Sequence, residues 1–168
     1  MKRQNNNIIL TVILTTFIYF NFNRYFMFCH DCRWYTLLTC HFTHVNIFHA
    51  ACNIYCLFVI LSISRTNVIK WISAYIFAIL SLLISQPEML VSGFSAVIYA
   101  YIGMVIKLKY ETISKTIAMT IAYYVVSLLT GANLSIVIHL LSFVMGLGVN
   151  FFMEFSNKII NRYVDKRD

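Results

Sequence analysis

The sequence predicts an all-α, polytopic membrane protein: a bundle of six transmembrane helices in one domain, 1–168, with both termini cytoplasmic. Three observations predict it. Only 11% of the 168 residues are charged and 60% are hydrophobic, against about 25% charged in a soluble domain, so the charges are too few to face water on every side. The apolar residues fall into six runs, most of them near the ~20 residues that cross a bilayer core. The basic residues gather in alternate loops. Together these features exclude an ordinary soluble enzyme, a disordered chain and a water-exposed nucleic-acid binder. The net charge of +7 is therefore expected to set topology and meet anionic lipid head groups.

The first run, about 8–28, follows Lys2 and Arg3 as the core of a signal peptide would. No small-x-small cleavage site comes after it. The chain continues through Asn21, Phe22, Asn23 and Arg24 into Tyr25, Phe26, Met27 and Phe28. It reads as an uncleaved span in which Arg24 snorkels or faces protein. Spans two to six are expected at about 45–64, 68–85, 90–106, 113–130 and 134–155. All should be helices, because an open strand would leave backbone groups unsatisfied in lipid. With the N-terminus inside, the inner side holds Lys2, Arg3, Arg65, Lys70, Lys107, Lys109, Lys115, Lys158, Arg162, Lys166 and Arg167, eleven of the thirteen basic residues. Arg24 and Arg33 remain outside. The positive-inside rule thus sets the direction, and two inner termini require an even number of spans. The segment from Cys29 to Thr43 falls at the outer interface, with Trp34 and Tyr35 as amphipathic anchors.

Polar residues within spans cost free energy and mark functional sites by default. Span two carries His49 and Asn53, span four opens with Ser92, Gly93 and Ser95, and span six carries His139. These three spans all run from outside to inside. Each candidate lies a few residues below its outer end, about 5–12 Å deep at ~1.5 Å per residue. A hydroxyl, an imidazole and an amide therefore reach one depth from three helices. Ser and His at one depth can serve as nucleophile and general base. His49 and Asn53, four residues apart, share a helical face and can donate to a developing oxyanion. Every Asp and Glu lies at an end or in a loop, so the pattern is a dyad rather than a carboxylate triad. An aspartyl protease would need two buried acids, and the His-Glu-x-x-His zinc motif is absent. Taken singly, each of these residues also fits plain helix packing; their joint depth favours chemistry.

Three segments resemble the rhomboid intramembrane serine proteases. Thr39 to Asn53 reads T-C-H-F-T-H-V-N-I-F-H-A-A-C-N and is similar to the family's second-span signature, with His44, His49 and Asn53 in register. Gly93 to Gly103 reads G-F-S-A-V-I-Y-A-Y-I-G and resembles the G-x-S-G segment. His139 to Gly146 reads H-L-L-S-F-V-M-G and resembles the sixth-span motif. The resemblance covers about residues 33 to 150. It implies Ser95 as nucleophile, His139 as base, Tyr99 packed on that base, and an oxyanion site of His49, Asn53 and the Ser95 N–H. Gly93 and Gly146 are implied as supporting positions, and His44 as a support of the outer loop. Ala96 and Ser142 stand where the family usually has Gly. Arg33 and Trp34 come earlier relative to Thr39 than is usual, and the loop before span six, 131–133, is short. The stretch His44-Val45-Asn46-x-x-His49 also resembles the rhombosortase branch.

The resemblance implies a transmembrane protein substrate, no cofactor and no metal. It places the protein as a multi-pass component of a bacterial inner membrane, with its active site towards the external face. Two other readings stay open. One is an inactive rhomboid-like protein that binds membrane segments without cutting them. The other is a membrane thiol-redox or metal-binding protein, because Cys29-His30-Asp31-Cys32 has C-x-x-C spacing and His41 and His44 could add ligands. Cys52 and Cys56 in span two read as ordinary small apolar residues.

Overall fold

The computed structural model describes residues 24–44, 47–63, 67–88, 90–106 and 136–164, with isolated positions between 114 and 125. The first expected span lies outside the described residues except for 24–28. The fifth lies outside them except for Ser114, Ile117, Ala118, Ile121, Tyr124 and Val125, all of which are helical. Five α-helices carry the rest: α1 Thr36–Thr39, α2 Ile47–Ile63, α3 Val68–Ser85, α4 Ser95–Val105 and α5 Ile136–Val164. Among the described residues there is no β-strand, only an isolated antiparallel bridge between Phe28 and Val91.

Helix α3 has the bounds expected of span three, and its ends show why. Asn67 caps the start, its side chain accepting from the Ile69 and Lys70 amides at 2.9 and 3.4 Å. Gln86 closes it with φ 41°, its N–H returning to the Leu82 carbonyl at 3.0 Å, and Pro87 cannot continue the helix. Val68, Ile69, Ile72, Ile76, Leu80, Leu83 and Ile84 are all exposed. Their three- and four-residue spacing makes one apolar stripe suited to lipid. Among the described residues, α3 and α5 are the two helices long and apolar enough to cross a membrane.

Two spans differ from the sequence-based bounds. Span four was expected as helix from residue 90, but α4 begins at Ser95 and has 11 residues. Before it, the Phe28 and Val91 backbones exchange N–H···O bonds of 3.0 and 2.8 Å, and Gly93 sits at φ 114°. Ser92 and Gly93 therefore lie in a non-helical approach, not in the helix. Irregular backbone at membrane depth is tolerated where protein buries it, and Gly93 and Phe94 are buried. Extended chain, as at the bridged Val91, also covers ~3.3 Å per residue against ~1.5 Å in a helix, so the non-helical approach recovers part of the missing length. Span six was expected to end near 155, but α5 continues to Val164, 29 residues in all. Asn157 and Lys158 end the apolar run, yet nothing from 156 to 164 breaks a helix. At ~1.5 Å per residue α5 is about 43 Å long, longer than a ~30 Å hydrocarbon core.

Helix α4 is the centre of the structure. It packs against α2, α3 and α5, and eight of its residues, Ser95, Ala96, Val97, Ile98, Ala100, Tyr101, Gly103 and Met104, are buried. Small residues allow the close approach. A Cβ on Gly146 of α5 would overlap the Ala100 carbonyl, and one on Gly103 would overlap the Phe143 carbonyl. Polar ties fix the register. Ser81 of α3 lies 2.7 Å from Ser142 of α5 and donates its own hydrogen to the Phe77 carbonyl at 2.7 Å, so Ser142 is the donor between the pair. At the far end of α4, Asn150 donates to the Gly103 and Ile106 carbonyls at 3.2 and 2.6 Å, and Lys70 to Met104 at 3.4 Å. These bonds satisfy carbonyls that a helix C-terminus leaves open.

Candidate active site

The approach to α4 is held from both sides before any reactive group is reached. Val91 is bridged to Phe28, and Gly93 donates its N–H to the Cys40 carbonyl at 2.9 Å. Phe94 then turns the chain into the helix, with its ring near Phe42 at 5.9 Å and Trp71 at 6.2 Å between centroids. Ser95 is the first residue of α4. Its N–H has no intrahelical carbonyl to donate to, and it stands at the positive end of the helix dipole.

Across from it, His139 on the first turn of α5 places Nε2 2.6 Å from Ser95 Oγ. Both side chains are buried, at 5% and 6% exposure. Tyr99, one turn along α4, sets its ring edge-to-face with the His139 imidazole at 5.0 Å and 61°, which restricts the imidazole's orientation. This distance and burial meet the geometric requirement for a hydroxyl activated by an adjacent base.

From α2, His49 and Asn53 close around Gly93. A Cβ at Gly93 would stand 2.5 Å from His49 Cε1, 2.8 Å from its Nε2 and 3.2 Å from Asn53 Nδ2. Glycine is thus required twice at this position, by the crowding and by φ 114°. Asn53 Nδ2 is buried and makes no hydrogen bond among the described residues. His44 packs edge-to-face on His49 at 5.4 Å. The structure therefore gathers Ser95, His139, Tyr99, His49 and Asn53 from three helices and Gly93 from the approach to α4, and Gly146 lies one layer away in the α4–α5 contact.

Some of this arrangement was missed in the sequence. The helix start at Ser95 depends on the turn at Gly93, which hydropathy does not register. Ser81 and Asn150 are polar residues inside spans, and the rule that singled out His49 and Asn53 would have found both. His41 entered only as a metal ligand. In the structure it is buried, with its ring edge-to-face on Tyr75 at 5.4 Å, and desolvation lowers its pKa from 6.5 to about 4. Cys29 and Cys32 form a disulfide with Cα atoms 5.1 Å apart. Among the described residues no group of three or more His, Cys, Asp or Glu side chains could hold a metal ion.

A buried serine–histidine pair in a helical bundle with lipid-suited faces describes a class of membrane protein. The family model for the Rhomboid domain matches residues 31–154, and the chain belongs to the rhomboid family. That family comprises intramembrane serine proteases and inactive homologues, and it acts on transmembrane proteins within the membrane. The match and the apolar helices make this a membrane protein. No curated protein and no solved structure matches the chain.

Proposed function

We propose that the protein is an intramembrane serine endopeptidase that cuts peptide bonds in or beside transmembrane segments. The observation that carries the reading is the 2.6 Å approach of His139 Nε2 to Ser95 Oγ at the N-terminus of α4. In this scheme His139 Nε2 takes the Ser95 proton as Oγ attacks the scissile carbonyl. The resulting oxyanion is met by the Ser95 N–H, His49 and Asn53. As the tetrahedral adduct collapses, His139 gives its proton to the leaving amine and an acyl-serine remains. Water then attacks the acyl-serine with His139 again as base, which frees the new carboxyl end and restores the hydroxyl. Each oxyanion donor is worth about 2.7–4 kcal/mol in soluble serine proteases.

The accompanying topology is six spans with both termini cytoplasmic. It would put Ser95 near the external face of a bacterial inner membrane, where water reaches the acyl-enzyme. The positive-inside distribution supports it. The proposed partners are a membrane-embedded protein substrate and the bilayer, with no cofactor.

The test is cleavage of a membrane-embedded reporter together with labelling by a fluorophosphonate probe. Ser95→Ala and His139→Ala should each abolish both, and the double variant should be no worse, because residues acting as one unit are not additive. His49→Ala and Asn53→Ala should retain some activity, each losing about 10²–10³-fold. Ser92→Ala should cut normally. An unlabelled wild type whose cleavage is indifferent to Ser95 would sink the protease reading.

A further inference from the structure

The serine–histidine pair has a counterpart further along the same two helices. Asn150 of α5 carries two hydrogens on its amide nitrogen, and that nitrogen donates to the Gly103 carbonyl at 3.2 Å and to the Ile106 carbonyl at 2.6 Å. Both carbonyls belong to the end of α4, where the helix supplies no N–H to meet them. Ile106 follows Ser95 by eleven residues, and Asn150 follows His139 by eleven. Eleven residues of helix make about three turns and about 16 Å. The two helices therefore carry two rungs on the same faces and at the same spacing: Ser95 with His139 at one end, Ile106 with Asn150 at the other. The helices run parallel, so an axial shift of α5 at the second rung moves the first by the same amount.

We propose that Asn150 is a positioning residue: its two bonds to the end of α4 fix the axial register of α5 that sets His139 Nε2 against Ser95 Oγ. The proposal rests on the protease reading and adds to it a residue that touches no reacting atom. Between the rungs the helices meet through Ala100, Gly103 and Gly146. Small residues set how closely helices approach, but their contacts have little directionality, whereas a hydrogen bond weakens steeply away from its preferred line. Ser142 ties α5 to Ser81 of α3, and Lys70 of α3 donates to the Met104 carbonyl of α4. Asn150 instead joins the helix that carries the base directly to the helix that carries the nucleophile. The 2.6 Å approach of Nε2 to Oγ tolerates little slip. One residue of helix rise is ~1.5 Å, and misplacement by ~1 Å can cost about a hundredfold.

The experiment uses the full-length protein in proteoliposomes with Asn150→Leu, Asn150→Gln and Lys70→Met. Leucine keeps the bulk and removes both bonds. Glutamine keeps both hydrogens on a longer arm. Lys70→Met removes a tie at the same end of α4 that leads to α3 instead of α5. Rates are taken below the melting temperature of every variant, so that lost stability alone does not slow them. Fluorophosphonate labelling of Ser95 should slow by about ten- to a hundredfold in Asn150→Leu. Asn150→Gln should recover part of that loss, and Lys70→Met should label at close to the wild-type rate. Cleavage of the reporter by Asn150→Leu should fall in kcat with KM little changed, because no contact with substrate is removed. If Asn150→Leu does not fold, Asn150→Ala takes its place, since it also removes both bonds. A wild-type rate in the leucine variant, equal rates in the leucine and glutamine variants, or an equal loss in Lys70→Met would each overturn the proposal. A wild type that does not label overturns the protease reading and this role with it; a wild type that labels beside an unimpaired Asn150→Leu overturns the role alone.

Discussion

Ser95 and His139 were brought to one depth by counting residues from the ends of two apolar runs, and they lie 2.6 Å apart. That much was legible because a helix converts sequence position into depth at a fixed rise. The role of Gly93 was not legible in the same way. Its spacing to Ser95 marked it, but the reason for glycine is the crowding by His49 and Asn53 from another helix. We predict that Gly93→Ala removes activity while the protein still inserts. The alanine would face φ 114° and a Cβ 2.5 Å from His49, and a forced left-handed residue alone costs about 1–3 kcal/mol. Probe labelling and a thermal melt in detergent check this. Labelling should vanish and the melt should fall only modestly; a fully active Gly93→Ala would show that the approach segment tolerates another path.

Helix register depends on pairs of small and polar residues. Ala100 and Gly103 of α4 meet Gly146 of α5, the close approach that small residues allow. Ser142, where the family usually has Gly, makes a hydrogen bond that glycine could not, to Ser81. The prediction is a double-mutant cycle. Ser81→Ala strands the buried Ser142 hydroxyl and should destabilise by about 1–3 kcal/mol. Adding Ser142→Ala should return part of that loss, since no hydroxyl is then left unpaired. Unfolding in mixed micelles measures both steps, and strict additivity would mean the two hydroxyls do not interact. Hydropathy could place these helices but could not select Ser81 over the other serines of its span, because the choice depends on which face meets α5.

For the whole molecule, the proposed six-span arrangement would place eleven of the thirteen basic residues on one side. A reporter fused after Asp168 should therefore be cytoplasmic, and one inserted at Pro87 external. A C-terminal reporter found outside would remove the shared outer depth of Ser95 and His139. The outer segment also holds the Cys29–Cys32 disulfide, beside the Phe28–Val91 bridge but outside the serine–histidine pair. Replacing both cysteines by serine should leave cleavage of the reporter largely intact in folded protein. Complete loss would favour the thiol-redox reading of that C-x-x-C.

Sequence alone determined the membrane class and the order of the described helices, and it singled out His49, Asn53, Ser95 and His139 as candidates. These follow from properties summed along the chain: hydropathy over a window, charge per loop and rise per residue. The tertiary structure alone decided that residues 90–94 are not helical, that Ser95 begins α4, that Ser81 meets Ser142, that Asn150 meets the end of α4, and that His41 packs on Tyr75. Each of these rests on one atom meeting another from a distant part of the chain, as when the Cys40 carbonyl accepts the Gly93 N–H at 2.9 Å. Such pairings depend on how the helices pack and on backbone torsions at single residues, and a periodicity read along one chain carries neither.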